Sequence, residues 1–254
     1  MKNNFIKSYK WILLSLNLFR VSLGPSLFMG MSYLLIYLII PVMPSTQFLG
    51  PLTILIWPFV TVFILYFYFC VHSKKKFEPS NAFKIISANA KGLFSMSILS
   101  AFYAFTIGIL VSGDFESIIK VLQNQQENEL NSFDFGVLLF KLMLMGIPFY
   151  MATWFSPLLI ATHKNGLFMA IKSSFAGSLM YILPLFFAWL AITLGFLGLV
   201  ITITFFFTLT TFINLTLASF LTSLSLLFLM ASFVAIMFSF QYITFIDIYK
   251  KFNN

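Results

Sequence analysis

The sequence predicts an all-α polytopic membrane protein: a transmembrane bundle of about six spans, with amphipathic helices lying on its cytoplasmic face. Three observations carry this. Hydrophobic residues make up 60% of the chain and charged residues 9%, a balance that no water-soluble core can hide. The apolar residues fall into runs of about 20, the length that crosses a bilayer core. The few charges gather at the ends of those runs, basic groups at one set of ends and acidic groups at the other.

Met1–Val21 holds Lys2, Lys7, Lys10 and Arg20 around Trp11, Ile12, Leu13, Leu16 and Phe19. Its apolar part is too interrupted to span, and it reads as an interfacial helix rather than a signal peptide. After Gly24-Pro25, Ser26–Met43 is the first span and Pro41–Ser45 turns the chain back. Leu49–Val71, with Pro58 inside, is the second span, ending at His72-Ser73-Lys74-Lys75-Lys76. Phe77–Lys91 is a second surface helix, with Lys84 and Lys91 on one side and Phe83, Ile86 and Ala90 on another. In the third span, Leu93–Ser112, the stripe Ser97, Ala101, Ala104 and Gly108 suits close helix packing in lipid.

Five of the seven acidic residues lie between Gly113 and Asp134, and this polar stretch reads as a solvated loop. Phe135–Thr162, the fourth span, contains Pro148 and Pro157, which cannot donate to the carbonyls of Leu144 and Thr153. The expected result is a kink. At 28 residues the span exceeds what crossing needs, so Lys141 is expected to sit at the outer boundary and snorkel to headgroups. The chain leaves the bilayer at His163-Lys164-Asn165-Gly166, and Gly166–Phe175 is a third surface helix with Lys172 on its polar side.

No charge then occurs for 74 residues, from Ser173 to Ile246. Keeping Lys172 and Lys250 on one side of the membrane requires an even number of crossings, so two spans are expected. They are Leu179–Ile201 and Ala218–Tyr242, with Thr202–Leu217 as an apolar connection around Asn214. Ala231, Ala235 and Ser239 form a packing stripe in the sixth. The whole of residues 1–254 is one integral membrane domain. Quasi-repeats at 8–72, 80–163 and 165–249 each hold a surface helix and a hairpin, with Trp57-Pro58, His72 and Lys84 echoing Trp154, Pro157, His163 and Lys172.

Function is less legible. The net charge of +8 is accounted for by topology and anionic lipid headgroups, so no nucleic-acid partner is expected. The single cysteine, Cys70, excludes an internal disulfide. His72 and His163 both end spans on the same side but make too thin a ligand set, so no metal site is expected. No phosphate loop, dinucleotide glycine pattern, His-Glu-x-x-His or Gly-x-Ser-x-Gly occurs; the chain reads as non-enzymatic, without catalytic residues or cofactors. The candidate ligand-binding residues are Lys141, Trp154, Pro157, His163 and Lys172.

Trp154-Phe155-Ser156-Pro157-Leu158-Leu159, His163 and Ala170-Ile171-Lys172-Ser173-Ser174-Phe175 resemble the central signature of a family of uncharacterised bacterial inner-membrane proteins. The tail from Tyr242 to Asp247-Ile248-Tyr249 is similar to that family's ending. The resemblance implies a multi-pass protein of the bacterial inner membrane and no defined activity. With both termini placed in the cytoplasm by the charges, the expectation is a component that organises or binds lipid, partner membrane helices or a second copy of itself. The alternative is small-solute transport through the proline-broken fourth span.

Overall fold

Small side chains decide how this bundle closes. The computed structural model describes residues 2–124, 135–163, 166–210 and 215–249, and all its regular elements are helical. Six helices are long and apolar enough to cross a membrane: Leu23–Val42, Gly50–His72, Ala90–Asp114, Gly136–His163, Ile182–Thr208 and Leu215–Tyr249, here spans one to six. A non-spanning helix precedes each odd-numbered span: Lys2–Val21, Pro79–Ala88 and Leu167–Met180. These are the N-terminal, second and third linking helices.

The six-span, all-α expectation holds, with three corrections. The helix of span three runs on to Asn124, so the first half of the stretch read as a solvated loop is helical; residues 125–134 lie outside the described residues. Span five continues to Thr210 and span six begins at Leu215. The expected connection Thr202–Leu217 is therefore mostly helix, and Asn214 lies outside the described residues. A run of Phe, Ile, Thr and Leu holds no helix-stopping residue between Thr202 and Thr210, which is why the helix does not end there.

The third correction concerns the N-terminal helix, which is packed rather than merely interfacial. Ser8, Trp11, Ser15, Leu18 and Ser22 are all buried, and their alternating spacing of three and four lays them along one face. That face lies against spans five and six: Ser8 Oγ donates to the Pro184 carbonyl at 2.8 Å, and Ser239 Oγ donates to the Ser15 carbonyl at 3.1 Å. Trp11 Nε1 donates to Asp247 at 3.1 Å. The face continues into span one as Ser26 and Gly30, also buried.

Span six answers with its own small residues. Ala231, Ala235 and Ser239 are fully buried, as expected of that stripe. A Cβ on Gly30 would lie 2.2 Å from the Ala231 carbonyl oxygen, so at this crossing only glycine fits. The expected stripe of span three behaves differently. Ser97 is buried, but Ala104 and Gly108 are exposed, and a Cβ on Gly108 would meet nothing within 4 Å.

The core sits at the end of the bundle that holds both termini, where Trp11, Leu65, Tyr68, Leu93, Met96, Phe155 and Phe238–Phe245 interlock. The opposite end is thinner: no described residue of span five beyond Ala188 is buried.

Two outcomes test this arrangement. In a Cys70→Ala background, single cysteines at Lys75 and at Thr46 should label with an impermeant maleimide from opposite membrane sides; labelling of both from one side would refute the alternation of spans. Gly30→Leu should lower stability in detergent by about 1–3 kcal/mol through overpacking, whereas Gly108→Leu should leave the melting temperature unchanged.

Candidate functional site

The signature segment of span four is where the helix ladder breaks, and the break is repaired by side chains from two other elements. The helix runs through Pro148 to Thr153 and restarts at Ser156, because Pro157 has neither the N–H nor the room to continue it. In an unbroken helix the Phe155 N–H would donate to the Met151 carbonyl. Here the Ser174 hydroxyl stands between them, accepting from Phe155 N–H at 3.0 Å and donating to Met151 at 2.9 Å. Ser178 Oγ also donates to Met151, at 3.3 Å. Gln241 of span six donates its side-chain N–H to the Trp154 carbonyl. An orphaned backbone group at this depth would cost several kcal/mol, so these side chains make the break affordable.

Ser174 reaches the break because the third linking helix presents Ala170, Ser174 and Ser178, all buried and four apart. Gly177 sits between them, where a Cβ would lie 2.2 Å from Tyr249 Oη. That hydroxyl donates to the Ser173 carbonyl at 2.7 Å. The helix is thus pinned to both span four and the end of span six, and it extends to Met180, five residues past the expected end.

The sequence-derived candidates separate into different places. Pro157 is buried in the core beneath the break, and Lys172 is exposed on the opposite side of its helix from Ser174 and Ser178. The Trp154 ring lies tilted against Tyr150, with ring centroids 4.7 Å apart, and borders a cavity of about 490 Å³. His163 Nδ1 lies 2.7 Å from Thr162 Oγ1, with its ring 6.2 Å from Phe245. Lys141 forms an ion pair with Asp114 at 3.0 Å, away from that cavity, at the end of the bundle opposite the termini. Sequence reading placed Lys141 at the boundary but missed its partner, because the pairing requires knowing that spans three and four adjoin.

A second constellation lies at the termini end and was not assembled from sequence. Lys10, Trp11 and Asn17 of the N-terminal helix, His72 and Lys74 after span two, and Asp247 of span six line a cavity of about 390 Å³. Span two ends in a turn where Lys75 N–H donates back to the Cys70 carbonyl at 2.8 Å. Lys74 takes the left-handed position of that turn, with φ 54°, a place normally given to glycine. His72 Nδ1 is 3.0 Å from the Tyr242 hydroxyl. Asp247 is already engaged by Lys7 at 3.1 Å and by Trp11. Lys10 and Lys74 face the cavity without an ion pair among the described residues. The signal available beforehand was the Lys-x-x-Lys-Trp run at Lys7–Trp11 together with Asp247, which is isolated from all other acidic residues.

Among the described residues no three His, Cys, Asp or Glu side chains gather closely enough to hold a metal. No family model matches the sequence, and neither a curated protein nor a solved structure matches it.

The repaired break yields a prediction. Ser174→Ala leaves the Phe155 N–H unpartnered and the Met151 carbonyl with only its longer bond from Ser178, and should cost about 1–3 kcal/mol, with faster amide exchange at Phe155. Ser95→Ala, which removes an exposed hydroxyl bonded only within its own helix, should change neither.

Proposed function

We propose that this chain is a non-enzymatic, multi-pass protein of the bacterial inner membrane that binds and organises anionic lipid at the end carrying its termini. The observation that carries the reading is the basic cavity formed by Lys10, His72 and Lys74. Its one carboxylate is compensated from within, which leaves the two lysines for an anion from outside. Lys75, Lys76, Lys84, Lys91 and Lys172 are exposed on the segments that flank spans at this same end. Such a concentration of cations suits the cytoplasmic leaflet, where anionic headgroups attract juxtamembrane lysines by about 1 kcal/mol each.

The backbone of Lys74 supports the same reading. A lysine in the left-handed region costs roughly 1–2 kcal/mol relative to glycine, and strain of this kind collects at binding sites, where a side chain has to be aimed. Solute transport through span four draws less support, because Lys141, the charged residue inside that span, is paired with Asp114 at 3.0 Å.

In nanodiscs of mixed phosphatidylglycerol and phosphatidylcholine, the full chain should retain phosphatidylglycerol selectively through detergent extraction. Lys10→Gln combined with Lys74→Gln should weaken that retention roughly ten- to thirty-fold. Lys74→Gly should separate strain from charge, raising the melting temperature while lowering retention. Equal retention of the two lipids, or full retention by the double variant, would overturn the reading.

A further inference from the structure

The cavity bordered by Trp154 has features that the anionic-lipid reading does not use. Residues of spans one to four and six line it, and its volume lies within the range of small-molecule sites. It is distinct from the basic cavity: no residue lines both, and where they come nearest, on span six, Gln241 borders one and Ile243 the other. Trp57 and Trp154 stand in its wall, and no Asp, Glu, Lys, Arg or His does. An ionic occupant would lose its hydration with no counter-charge to meet it. The wall selects an uncharged molecule.

The wall is nevertheless equipped for hydrogen bonding. Ser100 is 4% exposed, and its hydroxyl has no partner. Ser95 and Thr106 of the same helix donate to the carbonyls four residues back, the usual resort of such groups. The Tyr37 hydroxyl, also in the wall, is likewise unpartnered. Buried polar groups without partners are rare enough in native structures to require a reason. Pro58 cannot donate to the Ile54 carbonyl, nor Pro157 to that of Thr153, and both of those residues line the cavity.

The backbone of span one is shaped around the same place. Leu35–Ile39 forms a π-helical turn in which Ile40 N–H donates to the Leu35 carbonyl. In a regular α-helix the Pro41 ring would collide with the Tyr37 carbonyl four residues back; the wider turn absorbs the proline and sets Tyr37 into the wall. Single π turns of this kind occur frequently at functional sites.

The cavity is reachable from the side. Ala104 and Tyr150 line it and are also exposed, Tyr150 by 48%. Just beyond them, Cβ atoms on Gly108 and Gly146 would meet nothing within 4 Å. Spans three and four are joined beside this opening by the stacked Tyr103 and Phe149 rings at 4.2 Å and by the Tyr103 hydroxyl, which donates to the Met145 carbonyl at 2.7 Å, and at mid-span the surroundings are acyl chains rather than water.

We propose that this cavity is a laterally loaded site for an uncharged, hydroxyl-bearing lipid of the diacylglycerol or long-chain-alcohol class. A hydroxyl both donates and accepts. It can therefore satisfy Ser100 or Tyr37 together with a proline-freed carbonyl, while its hydrocarbon lies against Trp57 and Trp154.

The test uses the full chain in phosphatidylcholine nanodiscs containing a trace of diacylglycerol with a diazirine on one acyl chain. Photolabel should concentrate on the peptides holding Tyr37, Trp57 and Trp154 and be displaced by unlabelled dioleoylglycerol. Ser100→Ala and Tyr37→Phe should each reduce labelling about fivefold, the net worth of one hydrogen bond. Each should leave the melting temperature of the lipid-free protein unchanged or raised, since each removes an unpartnered polar group. Ala104→Phe should reduce labelling by narrowing the entrance while both hydroxyls remain. The proposal falls if the same diazirine chain on phosphatidylcholine labels these peptides equally, if labelling survives the Ser100→Ala, Tyr37→Phe double variant, or if both single variants melt lower, which would show that the hydroxyls are bonded in the empty protein.

Discussion

Lipid surrounding a helix is as apolar as the helix itself, so burial from water cannot hold two spans together; contact distance and hydrogen bonds must. The crossing of span one and span six is built on that constraint. Gly30 lets the Ala231 carbonyl approach to where a methyl group would stand, and Ser22, Ser26, Ala235 and Ser239 extend the close contact along both helices. Tyr68 of span two adds its hydroxyl to the Ala235 carbonyl at 2.8 Å. Span six thereby becomes the post against which the N-terminal helix and spans one, two and five are set. The interlocked rings from Phe238 to Phe245 fill what the small residues leave open.

The same economy of hydroxyl groups governs the broken fourth span. Proline makes a helix cheap to interrupt but leaves polar backbone that hydrocarbon cannot solvate. Ser174 and Gln241 supply the missing partners, so the interruption is a joint shared by three elements rather than a loose bend. This explains why the third linking helix packs so closely while keeping Lys172 outside: its small, hydroxyl-bearing side faces the joint, and its charge faces away. The joint and the crossing together place two cavities of opposite character in one bundle, basic at the end holding the termini and neutral in the middle.

Hydropathy is a local property, and the number of spans was legible from it together with charge parity. Features that depend on which helices adjoin were not. The stripe Ala101, Ala104 and Gly108 has the spacing of a packing surface, yet Ala104 and Gly108 are exposed and the contacts between spans three and four are made by Tyr103, Phe149, Asp114 and Lys141 instead. Ser8, Ser15 and Ser22 recur every seven residues with Trp11 and Leu18 between them, and only the structure shows that this interval marks the buried face. Charge was read for topology and not for partners, so Lys141 with Asp114 and Lys7 with Asp247 were both missed. Of the candidate residues, Trp154 and Pro157 fell at the joint because proline chemistry is readable from sequence. Ser100 and Tyr37 carried no signal, since an unpartnered hydroxyl is defined by the absence of a neighbour.

The bond from Trp11 to Asp247 spans 236 positions, and this has a bearing on biogenesis. At about 5–20 residues per second, roughly 10 to 50 seconds separate the synthesis of the two ends. Throughout that interval the N-terminal helix has neither the carboxylate for its indole and Lys7 nor the Ser239 hydroxyl for its Ser15 carbonyl. It has to wait at the membrane surface, held by its lysines among headgroups and by its apolar side chains beneath them. Docking of that helix is then the closing step of assembly, available only once the sixth span has entered the bilayer. A ribosome that stalls before Asp247 would leave a membrane-inserted chain whose first helix is still undocked, a distinguishing mark that quality-control proteases could read.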